Sequence, residues 1–149
     1  RIIIGELNKR AGSVLQELYS PFRCPIIRTD LDTAEMIKYV SNVYLATKIS
    51  FFNEIFLICQ RLGLDARIVS EAVSLDPRIG NYGVIGGTPF AGMCLPKDLA
   101  AFMEFTNAKG IDSLLLRAVA EVNQEMHSYC SISHELQVPR EEYIDISSN

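Results

Sequence analysis

The chain has 149 residues, 48% of them hydrophobic and 21% charged, which places it among ordinary soluble globular domains with enough apolar material for a core. Its 14 basic and 18 acidic residues leave a net charge of −4, and no Lys/Arg block stands out to track a phosphate backbone, so nucleic acid is not an expected partner. The most apolar stretch, residues 40–59, is interrupted by Ser41, Asn42, Thr47, Lys48, Ser50, Asn53 and Glu54; a span needs about 20 predominantly apolar residues, so no membrane-crossing segment is expected.

The chain opens directly on Arg-Ile-Ile-Ile-Gly, without an initiator Met or a charged-then-apolar secretory signal, and reads as a piece of a longer protein. Residues 1–30 pattern as strand, helix, strand: Ile2-Ile3-Ile4 ending at Gly5, a helical stretch from about Asn8 to Tyr19, then Pro25 to Thr29. Two strands and one helix cannot cover both faces of a sheet, so this part is expected to belong to a larger parallel sheet. Asp32 or Thr33 is a polar capping candidate, and helical patterning then runs without Gly or Pro to Gly63. That helix is apolar around much of its circumference, which predicts burial within the domain or against another subunit.

A shorter helix is expected from Asp65 to about Ser74, broken by Asp76-Pro77. Between Gly80 and Gly92 lie five glycines and one proline, too flexible for regular structure unless something else holds the stretch. Helix is expected again from Pro96 to about Ala108, and from Asp112-Ser113 with an apolar face of Leu115, Val119 and Val122. From about Ser131 no period is evident, and residues 131–149 read as a connector or tail.

The four cysteines, at 24, 59, 94 and 130, share no flanking pattern and form no Cys-x-x-Cys pair; His127 and His134 come late. No metal site is expected, and reduced thiols in a cytoplasmic setting are the default. Cys94 follows the glycine-rich stretch and precedes Lys97 and Asp98 at a helix start. Helix N-termini and nearby cations favour the thiolate, which makes Cys94 the best nucleophile candidate. The alternative is a small buried hydrophobe, the usual state of a free cysteine and the preferred reading for Cys59 among Phe56, Leu57, Ile58 and Leu62. On the long helix, Glu35, Lys38 and Asn42 fall within about 60° of one another, a shared stripe that solvated i, i+3 and i, i+4 pairs also produce.

Several blocks together resemble the UDP-glucose/GDP-mannose dehydrogenase family: Arg-Ile-Ile-Ile-Gly-Glu, Thr-Ala-Glu-Met-Ile-Lys-Tyr-Val-Ser-Asn, Phe-Phe-Asn-Glu-Ile, Asp-Pro-Arg-Ile-Gly-Asn, and Gly-Thr-Pro-Phe-Ala-Gly-Met-Cys-Leu-Pro-Lys-Asp. Their order and spacing match over residues 1 to about 125, which is more specific than any single motif. The resemblance implies a mainly α fold: a helical central dimerisation domain built on a long buried helix (31–130), preceded by a short β-α-β remnant of a Rossmann-like NAD-binding domain (1–30). It also implies a homodimer through the long helix. The implied reaction is a four-electron oxidation of C6 of a nucleotide-linked sugar from alcohol to carboxylate, using two NAD molecules and no metal.

Carried over by position, Cys94 attacks the intermediate aldehyde to give a thiohemiacetal that becomes a thioester, and water releases the uronic acid. Lys38 stabilises the developing oxyanion, Asn42 helps to hold that oxygen or a water, and Asp98 orients water or takes part in general base work. Lys97 adds positive charge near the loop, with a solvated surface lysine as the equal alternative. Arg78 matches a family position where arginine reaches across the dimer toward the other subunit's nucleotide sugar. Asn81, Tyr82 and the stretch to Gly92 wrap the substrate.

Pro89 and Ala91 replace glycines common in the family, and Gly83 and Ile85 stand where relatives often carry an aromatic and a basic side chain. UDP-glucose ranks first as substrate, ahead of GDP-mannose and UDP-N-acetylhexosamines. No Gly-x-Gly-x-x-Gly turn follows any predicted strand, so the chain is not expected to bind NAD in the usual way; the cofactor is expected to be held mainly by a domain outside it, and its binding residues stay unknown. A second class of function stays open: a non-catalytic helical dimerisation module that retains the family pattern.

Overall fold

The computed structural model describes residues 1–135 and is mostly helical. Strand β1 (Ile2–Gly5) and strand β2 (Ile26–Thr29) pair in parallel, with Ile2 opposite Ile26 and Gly5 opposite Thr29. Their β-branched residues favour the pleated conformation. Between them runs helix α1 (Lys9–Tyr19), started by Asn8, whose Oδ1 accepts from the Ala11 N–H at 2.9 Å. A 3₁₀ turn, Ser20–Phe22, carries Pro21 in its first turn and ends at Arg23, whose φ of 49° is left-handed. This is the expected β-α-β unit.

A polar knot ties α1 to the strands. Arg28 of β2 donates to Glu6 Oε2, Ser13 Oγ, Gln16 Oε1 and the Lys9 carbonyl. Gly12 is buried beside this knot, and a Cβ there would collide with the Glu6 carboxylate.

Helix α2 (Leu31–Leu62) is 32 residues long, about 48 Å at 1.5 Å per residue. Its start differs from the sequence expectation. Asp30 is the cap: Oδ1 accepts from the Thr33 N–H at 2.8 Å and Oδ2 from the Thr33 hydroxyl at 2.7 Å. Thr33 is thus the residue being capped, and Asp32 lies within the first turn. The helix stops at Gly63 (φ 65°), where the Leu64 N–H bonds back to the Cys59 carbonyl at 2.9 Å, a Schellman-type end that only glycine closes without strain. Helix α3 (Ala66–Ser74) is capped by Asp65, helix α4 (Leu95–Ala108) begins one residue ahead of expectation with Pro96 in its first turn, and helix α5 (Leu114–Glu135) follows. Ser131 to Glu135 continue α5, whereas no helical period was expected there; the rest of the expected connector or tail, from 136, lies outside the described residues.

The chain divides into two compact units. The first comprises Arg1–Thr47 and Ala91–Leu116, with Ile4, Val43, Ala46 and Leu99 buried. The rings of Tyr39 and Phe102 stack in it at 5.8 Å. The second comprises Lys48–Phe90 and the chain from Arg117, with Phe52, Cys59, Val84, Phe90, Val119 and Met126 buried. Much of the apolar surface of α2 is left open: Met36, Val40, Tyr44, Phe51 and Ile58 are all exposed. Among the described residues no helix is long and apolar enough to cross a membrane.

Candidate active site

Lys38 and Asn42 stand one turn apart on α2, and Asp98 lies in the first turn of α4. Both α2 side chains donate to the same carboxylate oxygen: Lys38 Nζ reaches Asp98 Oδ2 at 2.7 Å and Asn42 Nδ2 reaches it at 2.6 Å. Lys97 Nζ donates to Oδ1, so both carboxylate oxygens are occupied. The Asp98 side chain is 1% exposed, whereas those of Lys38 and Lys97 are 59% and 64% exposed. The acid is therefore shielded from solvent, while the two lysine side chains that donate to it remain largely open.

These donors hold the Asp98 carboxyl well below the usual carboxylate range, led by Lys38, then Lys97 and Asn42, against a smaller opposing effect of desolvation. Lys97 is correspondingly raised, chiefly by its hydrogen bond to Asp98, with lesser contributions from Tyr39 and Cys94. Glu35, on the same predicted stripe as Lys38 and Asn42, is exposed and stands outside the cluster.

Cys94 is the residue immediately before α4, and its carbonyl accepts the first helical bond, from the Asp98 N–H, at 2.9 Å. Its side chain makes no capping bond. Of the four cysteines it alone is exposed; Cys59 is buried, and Cys24 and Cys130 are intermediate. An exposed thiol at a helix N-terminus, one turn from a cluster with two ammonium groups, can act as a nucleophile toward an electrophilic carbon. The cluster beside it can bind an oxygen that gains negative charge. Gly92, two residues ahead, has φ 82°, and open space surrounds the position a Cβ would take.

Arg78, Asn81 and Tyr82 belong to the second unit and are exposed. Arg78 folds back on Asp76, its Nε 3.0 Å from Oδ1 and its Nη2 2.6 Å from Oδ2. This fork raises the guanidinium pKa and lowers that of Asp76, and it leaves Arg78 87% exposed at its side chain. The turn carrying it is held by a residue the motif reading passed over: Lys48 Nζ donates to the carbonyls of Ile79 at 2.6 Å and Gly80 at 3.2 Å. Asn53 and Asn123, buried in the same unit, were likewise passed over. Their signal was present, since an amide in an apolar helical run has to find a partner.

A dinucleotide pyrophosphate needs a glycine-rich turn of free amides between strand and helix. After β1 the turn is Glu6-Leu7-Asn8, with the Glu6 carboxylate committed to Arg28 and the Asn8 side chain to the Ala11 N–H. This turn does not fit a dinucleotide pyrophosphate. Among the described residues no group of three or more His, Cys, Asp or Glu side chains could hold a metal ion.

Residues 32–125 match the model of the central domain of the UDP-glucose/GDP-mannose dehydrogenase family. The chain is 43% identical over 125 residues to the UDP-glucose 6-dehydrogenase TuaD of Bacillus subtilis, which covers 84% of this chain and 27% of that enzyme. It is 42% identical over 123 residues to a GDP-mannose 6-dehydrogenase of Pseudomonas syringae, covering 81% of this chain and 28% of that protein. Among solved structures, a UDP-glucose dehydrogenase from the archaeon Pyrobaculum islandicum superposes with a TM-score of 0.84 at 40% identity, over 93% of this chain and 32% of the other. The chain thus spans under a third of the length of each of these relatives.

Proposed function

Because this chain belongs to the UDP-glucose/GDP-mannose dehydrogenase family, we propose that it is the substrate-side segment of a nucleotide-sugar 6-dehydrogenase that oxidises the C6 alcohol of UDP-glucose to the uronic acid. The observation that carries this reading is the cluster at Asp98, which gathers Lys38, Asn42 and Lys97 one helical turn from the exposed thiol of Cys94. The family is NAD-dependent in general. NAD accepts the hydrides in such chemistry and would be bound mainly by a domain outside this chain.

This chain's own residues perform the covalent and polar work. The Cys94 sulfur adds to the C6 aldehyde carbon, a C–S bond forms, and the carbonyl electron pair moves onto oxygen. The Lys38 ammonium and the Asn42 carboxamide, held at fixed positions by Asp98, stabilise that oxygen. After the second oxidation Cys94 is bound to C6 as a thioester. Water then adds to the carbonyl carbon, the C–S bond breaks, the acid leaves as its carboxylate with both protons passing to solvent, and the thiolate is regenerated. Asp98 acts here by holding its donors and orienting water. Ionised, it can also take part in general base work.

In this reading Arg78 grips the nucleotide sugar bound by a second copy, Asn81, Tyr82 and the backbone to Gly92 wrap the substrate, and Lys97 supplements the positive charge beside Cys94. Residues 1–30 are the end of the NAD-binding domain and residues 31–130 the central domain. A homodimer forms on the exposed apolar surface of α2, and the enzyme works in the cytoplasm.

The full-length protein supplied with UDP-glucose and NAD should form two NADH per sugar, and Cys94→Ser should abolish uronic acid formation. No NADH with any nucleotide sugar, or full activity in Cys94→Ser, would overturn the reading.

A further inference from the structure

Residues 86–90 form neither helix nor strand, yet Phe90 is buried and both Gly86 and Gly87 are largely covered. Peptide groups removed from water in this way need partners. Two asparagines provide them. Asn53 of α2, fully buried, accepts from the Gly87 N–H at 2.9 Å and donates Nδ2 to the Thr88 carbonyl at 2.9 Å. Asn123 of α5, also buried, accepts from the Phe90 N–H at 2.8 Å and donates to the Phe90 carbonyl at 3.2 Å.

Both carboxamides therefore present donor and acceptor to the loop as a neighbouring strand would. Cys130 Sγ adds a weak contact to the Gly87 carbonyl at 3.5 Å. The backbone is pressed onto α2 as well: a Cβ on Gly86 would collide with the Phe52 carbonyl oxygen, and Gly87 holds φ 102°.

Burying an amide is costly unless its bonds are made, and a leucine at either position would bury without that cost. What the asparagines contribute is the shape of one loop. Aspartate would keep the acceptor and lose the donor, and glutamine would overreach by a methylene. Resting on the reading that the stretch to Gly92 wraps the nucleotide sugar, we propose that Asn53 and Asn123 are positioning residues for substrate. They fix the Gly87–Phe90 backbone before the substrate arrives, so binding does not have to order it.

The test uses the full-length enzyme with UDP-glucose. Asn53→Ala and Asn123→Ala should each raise the KM for UDP-glucose by about tenfold or more, with a much smaller change in kcat and none in the KM for NAD. A side chain that merely supported the fold would lower Tm and leave that split absent. Active, folded variants with an unchanged KM for UDP-glucose would overturn the proposal. Failure of the functional reading shows itself differently, as a wild-type enzyme that turns over no nucleotide sugar. In that case, or if the variants do not fold, amide exchange in the wild type decides. Gly87 and Phe90 amides exchanging as slowly as those of α2 support the clamp, and exchange at the rate of an exposed loop refutes it.

Discussion

At the scale of single residues, the informative contrast is between Asp98 and the groups around it. A carboxylate that accepts from two ammonium groups and a carboxamide stays ionised far into acid. Its folded-state pKa lies below the ordinary value of 3.8, so its contribution to stability is fully present above that pH. The contribution is lost as the pH falls through the folded value, because there the unfolded chain binds more protons. Asp98→Asn removes it. The wild type should then exceed the variant in urea midpoint above pH 3.8, and the gap should narrow progressively below it. Urea melts of both proteins over a pH series read this directly. With Lys38 and Asn42 no longer anchored by a charge, the same variant in the full-length enzyme should lose about a hundredfold in kcat.

Helices and loops show where sequence reading reaches its limit. An uninterrupted apolar pattern without Gly or Pro was enough to recognise α2 and its glycine stop, but the polar residues near its start pointed to Asp32 or Thr33 and not to Asp30 just before them. Only the bonds from Thr33 to Asp30 decide between them. Asp30→Ala should therefore lower the midpoint of thermal or urea unfolding clearly more than Asp32→Ala does. A reversed order would return the cap to the position first expected. The stripe of Lys38 and Asn42 follows from a 100° advance per residue, yet their shared partner lies 56 and 60 residues away. No local pattern contains that separation, and the family resemblance alone pointed to Asp98. The glycine-rich stretch was recognisable as needing an external support. Its supports, Asn53 and Asn123, lie 33 to 35 residues distant; in the sequence Asn53 reads as an ordinary interruption of an apolar stretch, and Asn123 carries no motif.

For the molecule as a whole, the feature with the widest reach is the line of exposed apolar side chains on α2, Met36, Val40, Tyr44, Phe51 and Ile58. Spaced mainly at multiples of a helical turn, they form the kind of surface that a second copy covers. Sedimentation should show a dimer, and Tyr44→Glu, which sets a charge in the middle of the line, should shift it toward monomer; a monomeric wild type at high concentration would refute the interface. Once the line is closed by a second copy, folding and pairing become one equilibrium governed by mass action. If the monomer has no stable fold of its own, the Tm of this chain should climb with the logarithm of protein concentration, and dilution alone should unfold it, which melts over a dilution series read.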